Sequence, residues 1–281
     1  MNYRQFVVSA KPYNAELISG LLWELEIEGI TEQDNYLEVY AKDKKDVTTE
    51  RMSKLLQSLV DQNILETYDI KESIIENKNW NEEWGKKVNI VKVTDKIVIK
   101  PSFKEYTPLE NQIIITIDPK MSFGTGEHQT TKLMLNLCEK HVQHRDKVLD
   151  IGCGTGILAI TAIKLGAHSA LGIDNDEWCL LNGNENITLN KVDNKVKIEL
   201  ADIYQISEKE FDLILANINK NVLLEIRGIV KEKLRDGGRF ILSGLLQEDE
   251  EEIKKSYLPL GFKLVEKLTL DEWIALVFLL E

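Results

Sequence analysis

Gly152, Gly154 and Gly156 stand in "VLDIGCGTGILAI", directly after a buried-strand pattern and directly before an apolar-faced helical run that Gly166 closes. Glycines at a strand-to-helix turn let a ligand approach the backbone closely. Their spacing separates the turn from a dinucleotide site, which needs G-x-G-x-x-G. Here the pattern is G-x-G-x-G, Ile157 stands where a third dinucleotide glycine would be, and Asp150 precedes the turn where a nicotinamide enzyme keeps an apolar residue. Asp174 ends the next apolar run, "SALGIDND", about twenty residues on, where an acid can accept from both hydroxyls of a ribose. "IELADI" puts Asp202 at a further strand end, and "FDLILANI" ends on Asn217. Strand ends of this kind line the ligand crevice of open α/β sheets. Each acid has a plainer alternative, a helix cap or a solvated turn. Cys153 is a small filler of the turn, with nothing nearby to activate a thiol.

A second unusual stretch, "DPKMSFGTGEHQTTKL", covers residues 118–133. A phosphate loop would carry lysine directly after its last glycine, and this segment does not. Gly124 and Gly126 permit an unusual backbone path, Phe123 can cover a ligand, and the Thr131 hydroxyl can bond one. His128 has two readings that the sequence leaves open: a packed, loop-orienting histidine, or a direct ligand contact.

The elements that must position these residues alternate strand and helix from residue 93 onward, the signature of a mostly parallel sheet. Residues 1–76 read differently. "YRQFVVSA", the helical leucines of "YNAELISGLLWELE", then "GITEQ" and "YLEVYA" across Asp34-Asn35, a second helix and "YDIKESIIE" give the split βαβ order of a ferredoxin-like α+β domain. Between the two, residues 77–92 are expected to form a polar linker helix, with Trp80 and Trp84 one turn apart as a staple to the second domain.

Composition bounds the partners. The chain has 281 residues, 43% hydrophobic and 29% charged, with formal net charge −12. That field disfavours wrapping nucleic acid and suits a basic protein, although acidity can also serve solubility alone. Residues 1–79 hold nine Lys/Arg against fifteen Asp/Glu, a net of −6, and lack the aromatic RNA-binding signature, so they read as a protein-docking module. Cys138, Cys153 and Cys179 are unpatterned, which points to reduced thiols in a cytoplasm. The first residues lack a signal-peptide core, and the apolar run "WIALVFLL" is too short to span a bilayer, so no membrane role is expected. The four histidines lack metal spacing, and no metal is expected.

The glycine turn resembles the first motif of S-adenosylmethionine-dependent methyltransferases. Together with "DPKMSFGTGEHQTTKL", "FDLILANI" and "FILSGLL", it makes residues 80–281 similar to the ribosomal protein L-eleven methyltransferase family (PrmA-type). The resemblance implies a Rossmann-like class I methyltransferase domain over residues 93–281, with a seven-stranded mixed sheet ending in an antiparallel hairpin ("FKLVEKLTL", "WIALVFLL"). It implies S-adenosyl-L-methionine as cofactor and, as substrate, a large-subunit ribosomal protein methylated on lysine side chains and the N-terminal amine. Carried over by position, Thr131, Gly152, Asp174 and Asn217 contact the cofactor, with Asn217 also the catalytic residue. Asp150, Gly154, Phe123, Gly126 and Asp202 complete the expected cofactor site, Asp202 facing the adenine amino group. The expected working form is a monomer. Residues 1–76 are longer and more acidic than a minimal recognition domain, which leaves the docking surface open. Methylation of another protein, an RNA or a small molecule remains an alternative, as does a non-catalytic cofactor-binding protein.

Overall fold

The computed structural model describes residues 3–75 and 89–281, apart from 23, 24, 26, 28, 43–46, 119 and 121. The chain divides into two compact units, Met1–Trp84 and Gly85–Glu281.

The first unit runs β1 (Tyr3–Lys11), α1 (Ala15–Leu22), β2 (Gly29–Glu32), β3 (Leu37–Lys42), α2 (Thr49–Asp61) and β4 (Thr67–Ile75). Its sheet has the order β2-β3-β1-β4, and every pairing is antiparallel. Strand periodicity puts Phe6, Val8 and Ala10 on one face, where they are buried. Ile18 and Leu22 of α1 and Met52, Leu56 and Leu59 of α2 join them in one core. Thr48 caps α2 by accepting from Arg51 N at 3.3 Å. The expected linker helix falls mostly on residues 77–88, with Trp80 and Trp84, outside the described residues. Its last two positions, Val91 and Lys92, are strand.

In the second unit, β5 (Val91–Lys92), β6 (Ile97–Lys100) and β7 (Ile113–Thr116) form a small sheet, followed by α3 (Gln129–His141). The main sheet has seven strands: β8 (Lys147–Ile151), β9 (Ser169–Asp174), β10 (Val196–Leu200), β11 (Phe211–Asn217), β12 (Leu234–Leu246), β13 (Phe262–Leu270) and β14 (Trp273–Leu280). Their order is β10-β9-β8-β11-β12-β14-β13. The first five are parallel, and β14 and β13 close the sheet as an antiparallel hairpin. This is the seven-stranded mixed sheet of the class I methyltransferase fold. α4 (Ile157–Leu165) and α5 (Glu177–Asn190) share one apolar cluster with α3, while α6 (Lys220–Lys233) and α7 (Glu250–Tyr257) cover the other face. β12 begins earlier than its apolar run predicts, because Leu234 already pairs with Phe211 before the register shifts and Gly237 turns at φ +70°.

Strand order and register fix where chemistry can sit. The order reverses between β8 and β11, and ligands of such sheets bind in the crevice beyond the carboxyl ends at that point. Ile151 pairs with Ala216 on one side and with Ile173 on the other. The next residues, Asn217, Gly152 and Asp174, therefore stand in one row along that edge.

At the opposite edge Arg239 Nη2 meets Asp146 Oδ1 at 2.7 Å, with their side chains only 7% and 5% exposed. Gln143 N adds a 2.7 Å bond to Asp146 Oδ2, so this buried pair is well satisfied.

Candidate active site

β8 is buried from Val148 to Ile151 and carries one charge in that stretch, Asp150, before the chain turns at Gly152, Gly154 and Gly156 with φ of +66°, +53° and +77°. Residues with a Cβ rarely adopt these angles, so glycine is needed here. Space demands it too. A Cβ on Gly152 would lie 2.5 Å from Ile218 Cγ2, and one on Gly154 would lie 2.4 Å from the Phe123 carbonyl oxygen. The turn is squeezed between the segment after β11 and the loop before α3.

Backbone bonds hold it there. Gly152 N and Cys153 N both donate to Ile173 O, at 2.9 and 3.0 Å. Gly154 N donates to Asp174 Oδ2 at 2.9 Å, and Asp176 N to Asp174 Oδ1 at 3.1 Å. Asp174 thus organises the turn and keeps a second lone pair on each oxygen for a ligand. Asp150 lies beneath, with no exposure. Its Oδ2 accepts from Ala159 N at 3.1 Å, and its Oδ1 has no partner among the described residues. Burial raises its pKa to about 7, with the Ala159 N–H pulling downward and the charge of Asp174 pushing up. Burial also pushes the Cys153 thiol well up, which agrees with an inert filler.

The loop over residues 118–128 is stitched to this turn. Thr155 N donates to Phe123 O at 3.0 Å, and Thr155 Oγ1 to Gly124 O at 2.7 Å. Gly126, at φ +88°, passes so near Ile99 that a Cβ would overlap its side chain. The Phe123 side chain is left 56% exposed. Its ring meets the edge of His128 at 5.5 Å, and His128 meets Trp273 at 5.0 Å. His128 Nδ1 also accepts from Thr130 N at 3.3 Å, capping α3. The imidazole thus caps α3 and ties the loop to the first residue of β14.

The first turn of α3 then delivers Thr131, which is buried, to the end of β11. Asn217 Nδ2 donates to Thr131 Oγ1 at 3.4 Å, a bond across 86 positions of sequence. Asn217 Oδ1 has no protein donor among the described residues. Gly244, at φ +86°, lets β12 approach closely, since a Cβ there would lie 2.1 Å from Ile218 O.

A cavity of about 240 Å³ opens at this edge, lined by Gly152, Asp174, Asp202, Ile218 and Asn219 among others. Asp202 differs from its expected place. β10 stops at Leu200, and Asp202 lies exposed in the following turn, where Tyr204 N donates to its Oδ1 at 3.0 Å. Its plainer role as a turn cap is therefore real, and the other oxygen faces no protein donor among the described residues. The structure thus gathers Gly152, Asp174 and Asp202 on one cavity, Thr131 with Asn217, and Phe123 with Gly154, while Asp150 underlies the turn and Gly126 shapes the loop. Two larger hollows, of about 430 and 460 Å³, are lined by other residues: one lies at the amino ends of β8, β9 and β10, the other within the first unit. Gly244 and Trp273 escaped sequence reasoning. Only the Ser-Gly within "FILSGLL" hinted at the first.

A family model described as "Ribosomal protein L11 methyltransferase (PrmA)" matches residues 2–280. A ribosomal protein L11 methyltransferase of Acetivibrio thermocellus is 38% identical over 203 residues, which cover 72% of this chain and 64% of that protein, just under two thirds of its length. One of Bacillus subtilis is 33% identical over 281 residues, covering 92% of this chain and 90% of the relative. Among solved structures, a ribosomal protein L11 methylase of Lactobacillus delbrueckii subsp. bulgaricus superposes with a TM-score of 0.64 at 30% identity, over 67% of this chain and 97% of that one.

Proposed function

The chain belongs to the ribosomal protein L11 methyltransferase family, and on that premise we propose that it transfers methyl groups from S-adenosylmethionine to amines of ribosomal protein L11, namely lysine side chains and the N-terminal α-amine. One observation carries the reading: β11 ends on an uncharged amide whose Nδ2 is tied to Thr131 and whose Oδ1 is left to accept. That oxygen can take an N–H from a neutral amine without holding it as a cation. A carboxylate there would favour the ammonium form, which has no lone pair for attack.

The turn's residues fit this cofactor. Bare backbone at Gly152 and Gly154, with the carboxylate of Asp174 beside it, suits a cationic ligand and opposes a pyrophosphate. When bound, S-adenosylmethionine supplies the chemistry, a methyl on a sulfonium with a neutral leaving group. In this reading Asp174 accepts from the ribose hydroxyls, Asp202 from the adenine amino group, and Thr131 bonds the methionine end. Phe123 covers the ligand from a loop whose path Gly126 permits.

Two costs fall to the protein. Aligning an amine with a methyl is worth ~7–11 kcal/mol in well-oriented systems. Neutralising a lysine of reference pKa about 10.4 at pH 7 costs roughly 4–5 kcal/mol, and desolvation in the crevice reduces that cost. Asn217 Oδ1 holds the neutral amine and aims its lone pair. Residues 1–76 serve as a ferredoxin-like recognition domain, residues 77–92 as a linker and residues 93–281 as the catalytic domain. The net charge of −6 over residues 1–79 favours a basic protein substrate.

Mass analysis of ribosomal protein L11 after incubation with the chain and S-adenosylmethionine tests the proposal. Increments of one methyl, mapped by peptide fragmentation to lysines and the N-terminus, are expected. An unmodified L11, or increments on other residue types, contradicts it.

A further inference from the structure

Asn182, Asn186 and Asn190 recur every fourth residue of α5 and so share one face of it. All three are buried, at 2%, 0% and 6% exposure. Buried amides cost stability unless their bonds are made, and an apolar face would cover the sheet more cheaply. The bonds they make differ from rung to rung. Asn190 grips β7 alone: Thr116 N donates to its Oδ1 at 2.9 Å, and its Nδ2 donates to Thr116 O at 2.6 Å and to Asn186 O at 2.8 Å. Asn186 reaches two separate segments. Asp118 N donates to its Oδ1 at 3.0 Å, and its Nδ2 donates to Thr155 O at 3.0 Å. Asn182 Nδ2 donates to Asp118 O at 3.1 Å, while its Oδ1 stays buried without a partner among the described residues.

Asp118 opens the loop that leads to Phe123 and Thr131, and Thr155 belongs to the glycine turn. Gly183, on the same face, lets α5 lie close to that turn, since a Cβ there would be 3.4 Å from Gly154 O and 2.3 Å from Ile198 Cδ1. We propose that Asn186 is a positioning residue that sets the spacing between the loop beginning at Asp118 and the glycine turn, so that one buried amide assembles the cofactor crevice from two distant segments. Its consequence for cofactor binding rests on the function proposed above; its consequence for the loop and the turn does not. Asn190 is the internal control. It sits on the same helix, is nearly as buried and makes three side-chain bonds to the two of Asn186, yet touches no part of the turn.

Asn186→Ala and Asn190→Ala in the full chain separate positioning from stability. Thermal unfolding is expected to fall by similar amounts in both. Calorimetric titration with S-adenosylmethionine should weaken at least tenfold in Asn186→Ala and stay within threefold of the parent in Asn190→Ala. Hydrogen exchange of the cofactor-free protein should rise at residues 122–128 and 152–156 together in the first variant alone. Should Asn186→Ala not fold, the near-isosteric Asn186→Asp, which keeps the acceptor but loses the donor, takes its place in the same comparison. Binding and exchange at parent levels in the Asn186 variant, or equal losses in both variants, would overturn the assignment. If the parent itself binds no S-adenosylmethionine, the functional reading falls, and the exchange comparison still decides whether Asn186 couples the two segments.

Discussion

Asp150→Asn exchanges a fully buried carboxylate for an amide of the same shape beneath the glycine turn. Burial lifts Asp150 from 3.8 to about 7, with Asp174 adding to the rise against the Ala159 N–H. At about 1.4 kcal/mol per pKa unit, the ionised form is then on the order of 4 kcal/mol costlier in the folded chain than in the unfolded one. The sign is set by the folded value lying above the unfolded one. The folded chain retains this proton between about pH 4 and 7 while the unfolded chain has lost it, so the stabilisation is complete below the unfolded value and is lost as pH rises through 7. An amide at 150 can still accept from Ala159 N, but its Nδ2 replaces the oxygen that has no partner among the described residues, which costs roughly 1–3 kcal/mol. The variant is therefore expected to be about 1–3 kcal/mol more stable than the parent at pH 8.5 and nearly equal to it at pH 5. Urea unfolding of the cofactor-free proteins at both pH values measures this, because the difference between them isolates position 150. A difference that is the same at pH 5 and pH 8.5 would refute the reasoning.

Gly154→Ala places a Cβ 2.4 Å from the Phe123 carbonyl at φ +53°, and calorimetry should find S-adenosylmethionine bound at least tenfold more weakly, since the loop and the turn must separate. Parent affinity there would mean that their contact does not shape the site. Asp174→Ala removes the acceptor of Gly154 N and the expected ribose contact, a loss of about 2–3 kcal/mol in cofactor binding; unchanged affinity in the folded variant would remove Asp174 from the ribose. Arg239→Met leaves Asp146 buried and unpaired, so unfolding should become easier by about 3–5 kcal/mol. Cofactor affinity should not follow it, because that pair lies at the far edge of the sheet.

The glycine turn, the strand-end residues Asp174 and Asn217, and the mixed sheet were legible because local geometry leaves few alternatives. Three glycines with positive φ before an apolar helix admit little but a tight strand-to-helix turn, and β-strand register then aligns whatever residue follows each strand. Asp202 was only partly legible: the sequence put it at a strand end, whereas β10 stops two residues earlier and its carboxylate serves a turn. What escaped depended on contacts between distant segments. The aromatic path from Phe123 through His128 reaches Trp273, some 145 positions on, and nothing near His128 announces that partner. Gly244 faces Ile218 O across two neighbouring strands, a closeness that no local pattern encodes. The asparagines of α5 recur at helical spacing, but buried amides and solvated ones have the same letters, and only the bonds to Thr116, Asp118 and Thr155 distinguish them.

Single-turnover methyl transfer by Asn217→Asp, at saturating S-adenosylmethionine and ribosomal protein L11, tests the central claim most directly. The two side chains are nearly isosteric, so packing is preserved while the donor to Thr131 is lost and a charge faces the amine. The account predicts a rate more than tenfold below the parent, with cofactor affinity changed far less than the rate. Transfer near the parent rate would contradict it, leaving Asn217 a strand-end cap and moving the amine acceptor elsewhere in the crevice.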